Sequence, residues 1–258
     1  MTHIFPSPLP QAPVCTACAT KGALDFEFTM AFQPIVDLDQ RTIFAYEALV
    51  RGLQNEPAGE ILGRVNERNR YLFDQMCRIK ALELASALHM PTYLSINFMP
   101  NAVYRAETCL RTTLQSAWRL GFPHERIIFE ITEGEQIADH AHLREIVHEY
   151  KRQGFKTAID DFGAGYAGLS LLTEFQPDII KLDMGLIRHI DQDNVRQAIM
   201  RGTLYICREL GITVIAEGIE TRAELDFLRD AGIHLFQGYY FARPGFQILP
   251  AVPPHTWV

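Results

Sequence analysis

Hydrophobic and polar residues change their spacing several times along this chain, and these changes predict a succession of strands and helices. Two β-rich runs, FTMAFQPIV and RTIFAYEALV, flank the polar turn DLDQ, which predicts an antiparallel hairpin. Six later runs are short and apolar, as buried strands are; they are TYLSINF, RIIFEIT, FKTAID, DIIKLD, ITVIAEG and IHLF. Stretches with helical apolar spacing separate them; these are Glu60–Asn69, Phe73–Leu88, Val103–Leu120, His140–Gln153, a short helix from Ala167, Val195–Leu210 and a helix starting at Thr221.

The order of these elements predicts the fold. Counting the second arm of the hairpin, seven strands alternate with helices, and one extra strand precedes them. This pattern is typical of an α/β fold, a modified TIM-like (β/α)₈ barrel with the first strand antiparallel. A doubly wound open sheet is the alternative. Such a sheet normally carries a Gly-rich phosphate turn after an early strand, and the sequence has none.

Composition and motifs suggest how the chain is divided. The 258 residues, 48% of them hydrophobic, suit one globular domain with a sizeable core. We expect an irregular Pro-rich arm over 1–23, the barrel over 24–250 and a tail over 251–258. The arm contains Cys15-x-x-Cys18, the spacing of half a zinc site or of a redox pair. Because no matching pair follows, the motif is either two free thiols or a regulatory redox or metal site.

Charge and hydropathy argue against several classes of protein. A formal net charge of −7 argues against a general DNA- or RNA-binding surface. No run approaches the roughly 18 to 20 apolar residues of a membrane span, and residues 1–23 lack the features of a secretory signal. Cys77, Cys109 and Cys207 lie in helical stretches and are expected to be buried thiols. The simplest expectation is a reducing, cytoplasmic location.

The polar residues at the C-terminal ends of the predicted strands indicate a chemical site. In a barrel these ends converge on one face, where the loops build the active site. The residues are Glu47, Asn97, Glu130, Asp160, Asp161, Lys181, Glu217 and Gln237. So many carboxylates would repel one another unless cations neutralise them. An oxygen-rich set without His or Cys favours two Mg²⁺ or Mn²⁺ ions over zinc or copper.

Seven short motifs follow one another in the second hairpin strand and in the later strands and loops. They are YEALVRG, SINF, FEITE, IDDFGAGY, IKLD, AEGIE and QGYY. Together they resemble the EAL-domain family of cyclic di-GMP phosphodiesterases. The resemblance implies metal-dependent hydrolysis of cyclic di-GMP to linear 5′-pGpG by a water activated between two metal ions. Such an enzyme lowers the level of a bacterial second messenger and thereby acts in signalling and biofilm control.

The resemblance also implies a role for each strand-end residue. The implied metal ligands are Glu47, Asn97, Glu130 and Asp160 for one ion, and Asp160, Asp161 and, directly or through water, Glu217 for the other. Lys181 is expected to orient or deprotonate the attacking water. Glu217 and Gln237 are expected to fix the orientation of that water.

Residues outside this set are assigned in the same way. Leu49 and Arg51 are implied to contact the substrate, Arg51 at a phosphate, and Gln33 is a further substrate neighbour. Glu133 is implied to anchor the glycine-rich loop that follows the paired aspartates, and Glu220 is expected to be structural. The resemblance also implies a homodimer through this loop and the helix after it, and leaves room for an unidentified regulatory partner.

Two other readings of the same residues stay open. One is a non-catalytic cyclic di-GMP receptor or protein-interaction module, although every catalytic position of the family pattern is present here. The other is a metal-dependent barrel enzyme that acts on a carbanion next to a carboxylate. Such an enzyme needs a separate base on an opposing strand, and the DDFG loop and Arg51 suit a phosphodiester better.

Overall fold

A computed structural model describes residues 24–103, 106–132, 140–165 and 168–257. In these ranges nine strands form one sheet. The strands are β1 (Thr29–Asp37), β2 (Thr42–Arg51), β3 (Tyr93–Asn97), β4 (Ile127–Thr132), β5 (Lys156–Phe162), β6 (Ile179–Leu182), β7 (Thr213–Ala216), β8 (Leu235–Gln237) and β9 (Gly245–Phe246). The sequence predicted the first eight of these strands.

The sheet closes into a barrel because β1 pairs with both β2 and β8. Strands β2 to β8 are each parallel to the next strand along the chain, whereas β1 is antiparallel to both of its barrel neighbours. The short β9 adds to the edge of β1. The predicted barrel with an antiparallel first strand is therefore confirmed, and the open doubly wound sheet is excluded.

Helices connect the strands on the outside of the barrel. In the described residues they are α1 (Ala58–Leu62), α2 (Arg70–Ala87), α3 (Ala106–Leu120), α4 (His140–Arg152), α5 (Gly168–Glu174), α6 (Met184–Ile187), α7 (Asn194–Leu210) and α8 (Arg222–Asp230). The sequence missed α6, which has only four residues and so shows no helical period.

The predicted helix over Glu60–Asn69 is wrong beyond its first few residues. Helix α1 ends at Leu62, and asparagine side chains then hold the backbone in a turn. Asn69 Oδ1 accepts a hydrogen bond from Asn66 N at 2.7 Å, and Asn66 Oδ1 accepts one from Arg68 N at 2.9 Å. Such local bonds to backbone N–H groups compete with the helical ladder.

Two apolar layers stabilise the barrel. The larger packs the strands against the helices. The smaller, which we call the interior layer, takes one residue from each of seven strands; its members are Ile35, Ala45, Ile128, Ala158, Ile179, Ile215 and Leu235. None of them is more than 2% exposed, so burial of each larger side chain contributes about 1.5–3 kcal/mol. This layer separates the two ends of the barrel.

A buried polar cluster joins α2 to α4 and to the loop after β3. Arg78 is 1% exposed; its Nη2 forms an ion pair with Asp74, and its Nη1 donates to the Tyr150 hydroxyl at 3.2 Å. Asp74 Oδ1 accepts a hydrogen bond from Met99 N at 2.9 Å. The guanidinium also lies 5.4 Å from the ring centroid of Phe129. The cluster therefore ties two helices to two strands of the barrel.

Helix α8 begins with a capping box at Thr221, the residue where the sequence predicts the start of this helix. Thr221 Oγ1 accepts from Glu224 N at 3.2 Å, and Glu224 Oε2 accepts from Thr221 N at 3.1 Å. Glu224 accepts two further backbone bonds, from His189 N at 3.1 Å and from Glu220 N at 3.2 Å. Burial of Glu224 favours its neutral form, but these N–H donors favour the carboxylate more. The pKa of Glu224 consequently lies below its usual range.

We expect Glu224→Gln to lower the free energy of unfolding by about 1–2 kcal/mol at neutral pH, because a neutral amide accepts these bonds more weakly. The folded-state pKa lies below the unfolded value, so the stabilisation is present above the usual pKa of 4.5 and is lost as the pH falls through the folded pKa. Urea unfolding of wild type and variant between neutral and acidic pH should show converging stabilities. A difference that stays constant would contradict the charge-based account; the exposed Glu60, changed to Gln, is the control.

In the part of the chain that is described, no helix is both long enough and apolar enough to cross a bilayer. Cys207 is a buried free thiol, as predicted, whereas Cys77 and Cys109 are free and only half-buried. Cys15 and Cys18 lie outside the described residues, so their role stays a prediction.

Candidate functional site

Lys181 on β6 lies at the centre of the strand-end cluster. Its Nζ is 2.7 Å from Glu217 Oε1, 2.9 Å from both Glu130 Oε2 and Asp160 Oδ1, and 3.3 Å from Glu47 Oε2. The lysine is fully buried. Burial alone would favour the neutral amine, but the surrounding carboxylates raise its pKa well above the usual value. Lys181 is therefore an ammonium ion that partly neutralises four acids.

A simple strand rule places these side chains together. Successive residues of a strand point to opposite faces, so residues two apart share a face. Six of the site residues follow a member of the interior layer by two positions; the pairs are Ala45–Glu47, Ile128–Glu130, Ala158–Asp160, Ile179–Lys181, Ile215–Glu217 and Leu235–Gln237. On the antiparallel β1 the order is reversed, since Gln33 precedes Ile35. All these side chains point into one end of the barrel.

Glu47 connects three amide side chains across the barrel mouth. Its Oε1 accepts from Asn97 Nδ2 at 2.8 Å, and its Oε2 accepts from Gln237 Nε2 at 2.7 Å. Gln237 Nε2 also lies 3.3 Å from Gln33 Oε1, and Gln33 Nε2 donates to Ala242 O at 3.1 Å. Among the described residues the buried Gln237 Oε1 has no partner. The amide N–H groups thus donate to Glu47, to Gln33 and to a backbone carbonyl, which leaves the Gln237 oxygen able to accept a further hydrogen bond.

Two of the buried acids hold protons more tightly than usual. Burial raises the pKa of Glu130 to about 8, with Glu47 and Asp160 adding to the rise and the Lys181 ammonium opposing it. Burial also raises the pKa of Glu217 well above its usual value, and the same lysine opposes the rise. The single lysine charge therefore does not fully compensate the cluster, and a further cation at this site would displace protons from it.

An irregularity in β5 brings the consecutive aspartates to the same side. Regular strand geometry would send Asp160 and Asp161 to opposite faces, but the β5–β6 register shifts between Ile159 and Phe162. Asp161 has a left-handed backbone with φ of 54°, which costs energy for a residue with a Cβ. As a result, ligand oxygens of Asp160, Asp161 and Glu217 lie within 4.8 Å of one another. Burial, followed by repulsion from Asp160, raises the pKa of Asp161 to about 6.

We expect Asp161→Ala to be less stable than Asp161→Asn by about 1 kcal/mol in metal-free buffer, because asparagine adopts the left-handed region more readily than alanine. Both variants lose the same charge, so the difference between them isolates the backbone. Urea unfolding measures it, with Asp161→Gly expected to match or exceed Asp161→Asn. Equal stability of the Ala, Asn and Gly variants would show that this conformation carries no strain.

A cleft of about 270 Å³ opens above the cluster, and its lining includes Gln33, Glu47, Asp160, Asp161, Lys181, Glu217 and Gln237. Asn97 and Glu130 reach the same centre through their bonds to Glu47 and Lys181. Leu49 and Arg51 lie at the end of β2 and do not line this cleft. Arg51 Nη1 donates to Val50 O at 2.7 Å. Glu133 lies outside the described residues.

Several residues of the site were not singled out from the sequence. Asp183 and Tyr239 line the cleft, and Asp183 also contributes to the raised pKa of Asp161. The Ser95 hydroxyl donates to Glu130 Oε1. Ser95 lies two residues before Asn97 on β3, so the alternation of strand faces could have placed it on the same face as Asn97. Gly238 is needed because a Cβ there would meet the backbone oxygen of Ile219 at 2.2 Å. This close approach holds the end of β8 against the loop after β7.

Glu220 also lines the cleft, and it forms an ion pair with Arg188 at 2.7 Å. That contact fits the structural role expected for it. The geometry therefore gathers the predicted strand-end residues at one site, with Asn97 and Glu130 below the cleft.

The donor atoms of the cluster fit hard divalent cations. Ligand oxygens form two groups, one from Glu47, Glu130 and Asp160 and one from Asp160, Asp161 and Glu217, and each group spans at most 4.8 Å. The groups share Asp160. Carboxylate and amide oxygens are the usual ligands of Mg²⁺, Mn²⁺ and Ca²⁺. Gln237 Oε1, which has no partner among the described residues, and the raised pKa values of Glu130 and Glu217 also indicate a site that is short of positive charge.

A closed (β/α)₈-type barrel, with carboxylates from four strands gathered around a buried lysine, defines a barrel protein with an acidic centre suited to divalent cations. Comparison with known proteins narrows this class to one family. The EAL domain model matches residues 19–244. The chain belongs to the EAL domain family.

Relatives with known structures share this fold closely. A standalone versatile EAL protein from Vibrio cholerae O395, solved in its c-di-GMP bound form, is 58% identical, with a TM-score of 0.88 over 90% of this chain and 98% of its own. The manganese/cy-diGMP complex of Klebsiella pneumoniae BlrP1 is 37% identical, with a TM-score of 0.81 over 85% of this chain and 56% of its own.

Curated relatives carry two kinds of description. The blue light- and temperature-regulated antirepressor BluF of Escherichia coli is 34% identical over 92% of this chain and 58% of its own length. The probable cyclic di-GMP phosphodiesterase PdeG of the same organism is 29% identical over 84% of this chain and 45% of its own length. The chain thus spans about half the length of these two relatives.

Proposed function

We propose that this protein is a metal-dependent phosphodiesterase that hydrolyses cyclic di-GMP to linear 5′-pGpG. The observation that carries the proposal is the intact acid cluster, in which two groups of carboxylates share Asp160 beside Lys181. The c-di-GMP complexes of similar EAL proteins from Vibrio and Klebsiella support the choice of ligand. The name of PdeG supports the choice of reaction.

Two divalent ions, Mg²⁺ or Mn²⁺, would occupy the two oxygen groups. Glu47, Asn97, Glu130 and Asp160 would hold one ion, and Asp160, Asp161 and Glu217 the other. When bound, such ions supply positive charge that lowers the pKa of a water and stabilises the charge of the leaving oxygen. Asn97 can contribute its Oδ1, because its Nδ2 already donates to Glu47.

The protein's own groups would hold and orient the attacking water. Lys181 is an ammonium ion with a raised pKa, so it acts as a hydrogen-bond donor rather than as a base. Glu217 lies 2.7 Å from Lys181 Nζ; once a bound cation displaces its proton, its carboxylate could accept a hydrogen bond from that water and fix its orientation. Gln237 lines the cleft, and its Oε1, which has no partner among the described residues, can accept a hydrogen bond from the same water.

Residues around the cleft would hold the nucleotide. Gln33 lines the cleft, and Leu49 and Arg51 continue the inward face of β2 beyond Glu47. A guanidinium suits a phosphate because its planar fork matches two anionic oxygens. Glu133 would anchor the glycine-rich loop after Asp161. We also propose a cytoplasmic homodimer formed through that loop and the helix after it; light scattering of the purified protein tests the dimer.

Binding without turnover is the second candidate function. It is favoured by the similarity to BluF, which is named an antirepressor. A receptor or interaction module needs the cleft but not the full acid set around a buried lysine. The presence of that full set makes hydrolysis the better proposal.

We expect the purified protein to convert cyclic di-GMP to linear pGpG with Mg²⁺ or Mn²⁺, and Glu47→Ala to lose at least about a thousandfold in rate. Glu47 contacts Lys181, Asn97 and Gln237, so its loss disturbs both the ligands and the water-orienting groups. Chromatography of the products measures the reaction, with the exposed Glu60→Ala as the matched control. Tight binding without cleavage would establish the receptor function instead. Absence of both would contradict either function.

A further inference from the structure

A second depression, of about 530 Å³, opens at the opposite end of the barrel from the cleft. We call it the floor pocket. Its lining is formed mainly by the amino ends of the strands and includes Phe44, Tyr93, Arg126, Lys156 and Thr213. It shares no residue with the lining of the cleft, and the interior layer separates the two. A volume in this range is typical of sites for small molecules.

The alternation of side chains along a strand places a cation and an aromatic ring in this pocket. Lys156 precedes Ala158 of the interior layer by two positions, so its side chain shares the inward face of β5. The Lys156 Nζ lies 5.8 Å from the ring centroid of Tyr93, and that ring packs 5.0 Å from Phe44. Both rings also pack against the interior layer. The result is an aromatic surface with an ammonium group over it.

The carboxylates of the pocket already accept hydrogen bonds or pair with a lysine, whereas Lys156 has no carboxylate partner among the described residues. Asp37 Oδ1 accepts hydrogen bonds from Asp39 N and Gln40 N, both at 3.0 Å. Asp178 Oδ2 accepts from Thr157 N at 2.8 Å and from Thr157 Oγ1 at 3.0 Å. Asp178 Oδ1 also lies 3.6 Å from Lys151 Nζ.

No carboxylate of the described residues pairs with the Lys156 ammonium. A second cation lies at the rim, where Arg126 Nη1 donates to Pro91 O at 2.9 Å and no ion pair joins Arg126 to an acid of the described residues. Lys156 and Arg126 together offer an anion a point charge and a planar fork. The pocket therefore combines two available cations with a half-buried aromatic surface.

We propose that the floor pocket binds a small anion that carries a planar ring, of the nucleoside monophosphate class. The ring stacks on Tyr93 and Phe44, a contact that is tolerant of base identity because every base has a π-face. The phosphate lies between Lys156 and Arg126. This site is independent of the proposed hydrolysis in the cleft, since no residue serves both.

The test is binding of GMP to the full chain by isothermal titration calorimetry, with EDTA present. Lys156→Gln should weaken GMP binding about tenfold or more, because it removes a charge-assisted bond to the phosphate. Tyr93→Leu should weaken it similarly through lost stacking. Lys80→Gln, a lysine of α2 at the surface, should leave it unchanged. Guanosine and inorganic phosphate should each bind more weakly than GMP.

Three results would overturn the proposal. One is no detectable heat up to about 10 mM GMP, a concentration that would reveal even weak sites. Another is binding that survives Lys156→Gln but is lost in Glu47→Ala, which would place GMP in the cleft. The third is equal binding of GMP and inorganic phosphate, which would remove the ring from the site. If Tyr93→Leu fails to fold, Lys156→Gln decides alone, and none of these readouts depends on turnover.

Discussion

Lys181→Met is expected to reduce cyclic di-GMP hydrolysis by at least about a thousandfold, because it removes the donor placed beside the attacking water. It also removes the one cation that contacts Glu47, Glu130, Asp160 and Glu217 in the described structure. Breaking a buried ion pair typically costs about 3–5 kcal/mol. In metal-free buffer the variant should therefore melt at a lower temperature, and added Mn²⁺ should stabilise it more than it stabilises the wild type.

The matched control is Lys80→Met, which removes a lysine of α2 that lies 3.8 Å from Glu83 at the surface. Product chromatography and thermal melting, each with EDTA or with Mn²⁺, separate the two effects. A variant at position 181 that hydrolyses at near wild-type rate would contradict the role of the lysine. An unchanged response to Mn²⁺ would contradict its role as the internal counter-ion.

Asp74→Asn is expected to lower the free energy of unfolding by about 3–5 kcal/mol, because it leaves the Arg78 guanidinium buried without its counter-charge. Asp74 is 4% exposed and also accepts the hydrogen bond of Met99 N, two residues after the site residue Asn97. Loss of this bond should loosen the end of β3. We therefore expect a weaker affinity for divalent cation, measured by calorimetry, in addition to the loss of stability, measured by urea unfolding.

The chain contains a control with the same chemistry at the surface. Arg222 and Asp226 form an ion pair of the same i,i+4 spacing at 2.7 Å, with side chains that are 48% and 50% exposed. Asp226→Asn should change stability by less than about 0.5 kcal/mol. The double variant Asp74→Leu/Arg78→Met should regain much of the loss, since it leaves no buried charge unpaired. Equal effects at positions 74 and 226 would show that burial of the first pair has no energetic consequence.

These two ion pairs also show a feature that could not be predicted from the sequence, namely which of them is buried. Asp74–Arg78 and Arg222–Asp226 have the same spacing on amphipathic helices, so the pattern predicts the same weak surface pair for both. Only the packing of α4, which brings Tyr150 to Arg78, makes one of them a buried cluster. The left-handed backbone of Asp161 was equally hidden, because it depends on the shifted register between β5 and β6.

The positions of the strand-end residues could be predicted because burial inside a barrel imposes a period of two. A residue such as Asp160 or Glu130 is conspicuous at the end of an apolar strand, and the convergence of strand ends then gathers such residues together. The hydrogen-bond partners of Glu47 could not be predicted in the same way. Its bonds to Asn97 and Gln237 join three strands and exist only once the barrel closes. The error over Glu60–Asn69 has a local cause, since the Asn66 and Asn69 side chains outweigh the apolar spacing there.

The reversed direction of β1 determines where the chain enters the barrel. Thr29 pairs with Arg51 at the cleft end, and Asp37 pairs with Thr42 at the floor end. In an all-parallel barrel the first strand would begin at the floor, far from the active site. Here any input module fused upstream of β1 is tethered at the rim of the cleft.

The residues just before β1 are also linked to the site by packing and hydrogen-bond contacts. Phe28, just before β1, packs with its ring centroid 5.1 Å from that of Phe73 on α2. The next residue of that helix is Asp74, which holds Met99 and through it the end of β3. A chain of contacts therefore leads from the residues just before β1 through α2 to the end of β3, next to Asn97.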